Sequence, residues 1–150
     1  MMRMKKSLKK TTGLIALCLS VVTLSAHSQP IAHWTTQNGV NAYYLQNTSV
    51  PIIDINILFK AGTLFDNQHP GISTLTANLL KEGTKKYTGD DIAKQLANQG
   101  ALYETKINRD MIKLQLRSLS DPALLNAVLP VFHSLYTTPT FEEKNITRLK

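Results

Sequence analysis

The residue pattern predicts an α+β fold, an antiparallel-rich sheet packed by helices. Three observations carry it: an Asn38-Gly39 pair between two β-forming runs, apolar residues alternating with polar ones over 51–59, and helical spacings interleaved with two more alternating runs further on. Strands first, then helices mixed with antiparallel strands, is the order of an α+β domain rather than of a parallel βαβ array.

Ala32–Gln37 and Val40–Gln46 hold Trp34, Thr35, Thr36, Val40, Tyr43 and Tyr44, all β-formers. Asn38-Gly39 between them predicts a hairpin closed by a two-residue turn, because this pair readily takes positive φ. In Pro51–Phe59, Ile53, Ile55, Ile57 and Phe59 fall on one face with Asp54 and Asn56 on the other, which makes a strand with one wet face. Gly62 ends it, and Asp66–Gly71 is a polar loop.

Ile72, Leu75, Leu79 and Leu80 recur at helical spacing, so a helix is expected over Ile72–Glu82 with Gly83 as its stop. Thr88–Gly100 predicts a second helix, with Asp90 and Asp91 in its first turn and Gly100 after its last. Ala101–Asn108 and Met111–Leu119 are two strands turning at Arg109-Asp110. In the latter strand Ile112, Leu114 and Leu116 alternate with Lys113, Gln115 and Arg117. Asp121 caps a helix that has Pro122 at its first position and runs through Leu125, Val128, Leu129, Phe132 and Leu135, with Pro130 placed to kink it. Thr140 opens a last helical stretch.

Composition narrows the function. The chain has 150 residues, 17 Lys+Arg against 10 Asp+Glu, a net charge of +7 and 43% hydrophobic residues. Arg3, Lys5, Lys6, Lys9 and Lys10 account for five of those bases, leaving 12 bases against 10 acids over residues 29–150. A nearly neutral folded part gives no basic face for nucleic acid, and the apolar content is too high for a disordered chain.

Residues 1–28 have the anatomy of a secretory signal peptide: a basic start, an apolar run over Thr11–Leu24, and small residues at Ala26-His27-Ser28, with cleavage expected after Ser28. The run falls short of the roughly 20 residues that span a bilayer, so no stable membrane span is expected after cleavage. A retained anchor is the alternative. Cys18, the only cysteine, would leave with the leader. Lipid attachment there would need a small residue before it, and Leu17 is not small. A cysteine-free export product with a lysine-rich leader fits a bacterial periplasm, or secretion.

The order of signals resembles the front of the pitrilysin/insulinase group of zinc peptidases. Asn38-Gly39 lies between two strands, Phe59-Lys60-Ala61-Gly62 closes the third, and Asp66 precedes Gly71 at the helix start. Glu82-Gly83-Thr84 follows the helix and Gly100 precedes the next strand. The resemblance implies that residues 29–150 are the front part of such a domain, truncated at the C-terminus and marginal or aggregation-prone in isolation.

In active members the helix after the glycine carries H-x-x-E-H. Imidazoles at i and i+4 hold one zinc ion and the glutamate between them takes a proton from zinc-bound water. Laid on Gly71–Thr84, that pattern puts Thr74 and Asn78 at the histidines and Ala77 at the glutamate. A hydroxyl and a carboxamide are neutral, weak zinc ligands, and alanine is no base. The third ligand, a downstream glutamate, would lie past Lys150. No catalytic residue, metal ligand or bound cofactor is therefore assigned, zinc belonging to the active relatives.

Other constellations are not legible. His33, His69 and His133 are far apart and never at i, i+4, and each fits a loop or packing role. Ser118 and Ser120 have no partnered histidine at a recognisable motif. Asp90-Asp91 fits a helix start, Arg109-Asp110 a turn, and no glycine-rich phosphate loop is present.

In the active relatives substrate adds as an extended strand to a sheet edge near the strand after the Gly100-like glycine, which here contains Tyr103, Glu104 and Thr105. Backbone pairing of that kind survives loss of a metal. The resemblance thus implies an exported, catalytically inactive homologue that partners a catalytic zinc-peptidase homologue or holds unfolded or extended peptide. Two alternatives stand beside it: an active zinc metalloendopeptidase whose site lies in missing sequence, and a standalone peptide-binding or assembly protein.

Overall fold

The computed structural model describes residues 29–150. The segment read as a signal peptide, residues 1–28 with Cys18, lies outside the described residues. Two compact units divide between Asn47 and Thr48.

The first contains the hairpin of β1 (Ala32–Thr35) and β2 (Asn41–Tyr44), paired antiparallel from Ala32 opposite Tyr44 to Thr35 opposite Asn41. His33 stacks on Tyr43 with ring centroids 4.6 Å apart. The turn differs from the expected two-residue one. The Gly39 N–H donates to the Thr36 carbonyl (2.9 Å), the Thr36 N–H to the Val40 carbonyl (2.8 Å), and only Gly39 takes a positive φ, of 81°. A four-residue turn ending in a left-handed glycine results, because Thr36 Oγ1 also accepts the Val40 N–H (3.0 Å) and closes the longer loop.

The second unit is a three-stranded antiparallel sheet in the order β3-β5-β4, formed by β3 (Ile52–Phe59), β4 (Leu102–Ile107) and β5 (Ile112–Leu119). Its helices are α1 (Ile72–Leu79), α2 (Gly89–Asn98), α3 (Pro122–Thr137) and α4 (Glu143–Leu149), with a 3-10 turn at Thr63–Phe65. The alternation of the sequence becomes the two faces of the sheet. Ile55 and Tyr103 flank Leu116, and Ile57 and Thr105 flank Leu114 on one face, while Asp54 and Leu102 flank Arg117 on the other.

The first face is the core. Leu114, Leu116, Val128, Val131 and Leu135 have no exposed surface, and Ile92, Leu96, Ala77 and Phe132 pack with them. Burying each large side chain contributes about 1.5–3 kcal/mol. The second face is wet and carries the bidentate Arg117–Asp54 pair at 2.7 and 2.8 Å, which holds the Asp54 carboxyl below its ordinary range.

The helix ends follow local chemistry. Thr88 and Asp91 form a reciprocal capping box at α2, and Gly100 after it adopts φ 62°. The Asp121 carboxylate accepts from the Ala123 and Leu124 amides beside Pro122, and α3 continues past Pro130 to Thr137, with that proline on the exposed side. Two boundaries depart from expectation. Helix α1 ends at Leu79 rather than Glu82, and Gly83 is not its left-handed stop. Instead Gly83 bridges Thr88 and Thr84 bridges Pro139, with the Thr140 N–H on the Gly83 carbonyl (2.9 Å). That pairing draws 83–84 and 139–140 out of helix, so α4 begins at Glu143 with Glu142 as its cap rather than at Thr140.

Gly62 explains how β3 joins α1. The amides of Thr63 and Leu64 donate to the carbonyls of Asn108 and Arg109 in the β4–β5 turn, at 3.1 and 2.9 Å. A Cβ at position 62 would lie 2.4 Å from the Arg109 carbonyl oxygen. Gly62→Ala is expected to lower unfolding free energy by about 1–3 kcal/mol, read as a reduced urea midpoint at unchanged m-value; an unchanged midpoint would contradict the close approach.

The sheet's outer strands β3 and β4 each pair only with β5 among the described residues. Open edges template pairing with other chains. The isolated fragment 29–150 is therefore expected to self-associate in size-exclusion chromatography, and a reversible, concentration-independent monomer melt would count against this.

Candidate functional site

Helix α1 is the element on which the sequence placed the emptied motif, and one carboxylate sets its position. Asp66, 8% exposed, accepts the Gly71 N–H (2.8 Å) and the Ser73 N–H (3.0 Å), and the Ser73 hydroxyl donates to it as well. The Ser73 hydroxyl also lies 3.2 Å from the Gly62 carbonyl. These are the free amides of a helix's first turn, where negative charge is favoured. The Ser73 hydroxyl bond, followed by the two amides, holds the Asp66 carboxyl below its ordinary range against partial burial. Gly71 at the helix cap has φ 90°, a conformation that favours glycine.

From that anchor the side chains of α1 sort into two faces. Ser73, Ala77 and Leu79 point inward, and Ala77, 1% exposed, belongs to the core cluster. Ile72, expected on the apolar face, is 46% exposed. Thr74 and Asn78, at i and i+4, share the outward face. Thr74 is exposed and Asn78 half-buried. They line a cavity of about 710 Å³ that also receives Gln68, His69, Leu75 and Lys150.

These residues do not fit zinc. The two neutral oxygen and amide donors at 74 and 78 are poor ligands, Lys150 brings a positive charge to the same wall, and the described residues hold no group of three His, Cys, Asp or Glu that could ligate an ion. Ala77 faces the core rather than the cavity, so its position is turned away from any reacting group there.

Tyr103, Glu104 and Thr105 lie in β4, an outer strand of the sheet that packs against α1. Their side chains divide between the faces. Tyr103 lies edge-on to Phe132 at 6.0 Å and Thr105 donates to its hydroxyl (2.9 Å), both on the helix side. Burial pushes the Tyr103 phenol up. Glu104 is exposed on the opposite face, 3.2 Å from Lys106. What β4 offers along its outer edge is backbone.

The remaining candidates are dispersed. His33 belongs to the hairpin, His133 lies against Tyr136 at 5.5 Å, and His69 alone reaches the α1 cavity. The Ser118 hydroxyl is buried without a partner among the described residues. Asp91 is spent on the α2 cap, and Arg109-Asp110 forms the turn held by Asn108 Oδ1. Sequence reasoning missed Gln68 and Lys150 as walls of the cavity. It noted Asp66 as an acid before the helix without seeing that it would fold back on it; the signal available was an acid seven residues before a serine in a first helical turn.

The sequence profile of the insulinase family, peptidase family M16, matches residues 42–150. The peptidase M16 inactive domain from Pseudomonas fluorescens is similar in structure, at a TM-score of 0.77 and 28% identity over 80% of this chain and 29% of that one. A protease from Helicobacter pylori has the same fold, at a TM-score of 0.69 and 17% identity over 81% of this chain and 29% of that one. The chain therefore spans under a third of the length of these solved structures. No curated protein sequence matches it.

The folded-state carboxyl of Asp66 titrates below its ordinary value near 3.8. Its stabilisation is thus complete above that value and is lost as pH falls through the folded value. Asp66→Asn is expected to lower Tm at pH 7 and to flatten the decline of Tm on the acid side of pH 4. An acid limb as steep as that of the unmodified protein would show that Asp66 does not anchor α1.

Proposed function

The chain belongs to the insulinase family of peptidases, M16, and from that premise we propose that it is a non-catalytic member. It serves as the partner or substrate-holding subunit of an active metallopeptidase, exported by its leader to the periplasm. The observation that carries this reading is the state of α1. Where active relatives place two metal-binding imidazoles and a base, this helix has Thr74, Asn78 and a core-buried Ala77. The inactive M16 domain of the Pseudomonas structure supports the same reading. The substrate-holding half rests on the outer edge of β4 at Tyr103–Thr105, which pairs with no further strand among the described residues and where an extended peptide gains main-chain hydrogen bonds without any metal.

Purified protein is expected to carry no stoichiometric zinc by metal analysis, to cleave no peptide in a chelator-sensitive way, and to co-purify with a homologue bearing an intact H-x-x-E-H. One tightly bound zinc per chain, or chelator-sensitive cleavage by the protein alone, would overturn the proposal. Ala77→Glu, which returns the base to a core position, is expected to cost at least about 2 kcal/mol in stability through burial of a carboxyl. Unaltered stability in urea unfolding would show that the position is open to solvent.

A further inference from the structure

Asn38-Gly39 is the only Asn-Gly pair in the chain. Both residues are exposed to solvent, and a Cβ at Gly39 would meet nothing within 4 Å. An asparagine carboxamide carbon is an electrophile within ring-closing reach of the next residue's backbone nitrogen. Glycine in that next place leaves the nitrogen unhindered. The closed turn holds it back. The Gly39 N–H donates to the Thr36 carbonyl (2.9 Å), the Thr36 N–H to the Val40 carbonyl (2.8 Å), and the Val40 N–H to Thr36 Oγ1 (3.0 Å). While those bonds stand, with Gly39 held at φ 81°, its nitrogen neither sheds its proton nor swings onto the carboxamide. The hairpin that maintains them is shallow: no residue of β1 or β2 is buried, and the two strands pair only with each other among the described residues. A two-stranded hairpin of that kind is marginal in water, and such segments open locally without global unfolding.

We propose that Asn38 is a site of spontaneous deamidation, gated by opening of the turn between β1 and β2. In the open turn the Gly39 nitrogen loses its proton to solvent base and bonds to Asn38 Cγ. The carboxamide nitrogen leaves as ammonia, its added proton returned from solvent, and a cyclic succinimide remains. Water then opens the ring. Breaking the bond from the Gly39 nitrogen to Cγ gives aspartate, and breaking the bond from that nitrogen to the main-chain carbonyl carbon gives isoaspartate. The sum is asparagine plus water to a carboxylic acid plus ammonia, with no oxidant or reductant. Isoaspartate carries the main chain through Cβ, so the path from 38 to 39 gains a methylene. The Gly39 amide is then displaced from the Thr36 carbonyl, and the hairpin does not reclose in its register of Ala32 opposite Tyr44 to Thr35 opposite Asn41. The reaction is thus an irreversible switch of the hairpin, independent of α1, of β4 and of the proposed function.

The test follows full-length protein in mildly alkaline buffer, with and without denaturing urea, by peptide mapping. Deamidation is read as the mass gained when NH2 becomes OH, and isoaspartate by enzymatic methylation of its carboxylate. Asn38 is expected to convert before every other asparagine, and to do so in buffer about five- to tenfold more slowly than in urea, as for a hairpin of marginal stability. Thr36→Val removes the hydroxyl that accepts the Val40 N–H. It is expected to speed conversion in buffer by about fivefold, as for one modest hydrogen bond, and to leave the rate in urea unchanged. Gly39→Val in urea, where the turn plays no part, is expected to slow conversion by about tenfold through crowding of the attacking nitrogen. No conversion in urea, or earlier conversion of another asparagine, would overturn the site. Equal rates in buffer and urea, or a Thr36→Val rate in buffer no faster than that of the unmodified protein, would overturn the gating. Conversion in urea with none in buffer would overturn the proposal for the folded protein.

Discussion

Asp66 reaches seven residues ahead to Ser73 and takes up the first-turn amides of α1. Much of what the molecule presents follows from that contact. The carboxylate is nearly buried, so its orientation is set by the groups that satisfy it, and those groups include the Ser73 hydroxyl, which in turn lies against the Gly62 carbonyl. Gly62 is itself held against the β4–β5 turn by the amides that follow it. A chain of short-range constraints therefore runs from the end of β3, through the β-turn and the carboxylate, to the start of α1. Rotating α1 about its axis would break the amide bonds to Asp66, so which residues face the core and which face the cavity is decided at its first turn.

This dependence explains what was legible beforehand. The two-residue period in 52–59 and 112–119 is strong because each strand has one wet and one dry face, and it marked both strands, whereas the sharing of one face by Ile55, Leu116 and Tyr103 is set by the register between strands. The acids in the first turn of α2 and the Asp121-Pro122 cap are local chemistry and were readable, while the reciprocal box by which Thr88 and Asp91 start α2 emerged only in the structure. What depended on distant partners was not readable. Gly83 looked like a helix stop, yet its role is to pass close to Thr140, whose hydroxyl lies 3.0 Å from where a Cβ would sit. The early end of α1 is the result of a bridge to residues more than fifty positions away. At the candidate site, the identities at 74, 77 and 78 were plain in the sequence, whereas the part of the cavity wall made by Leu149 and Lys150 exists only once α4 returns to α1.

The two faces of α1 have changed in different ways, and the difference carries a physical argument. On the outward face, imidazoles of the family pattern give way to Thr74 and Asn78, which keep polarity and reach but lose the electron-pair basicity a zinc ion needs. On the inward face the family's base is replaced by Ala77, which is buried as a member of the core cluster. A polar group returned to that position would have to be desolvated, and a carboxylate in such surroundings is driven toward its neutral form, which is the wrong form for a base. Reversing the outward substitutions alone would give two imidazoles with no base between them. Reversing the inward one alone would disturb packing and give a base with no metal-bound water to act on. The helix is therefore separated from the active pattern by three changes that are not independently rewarded, while its outward face keeps hydrogen-bonding groups that cost the core nothing.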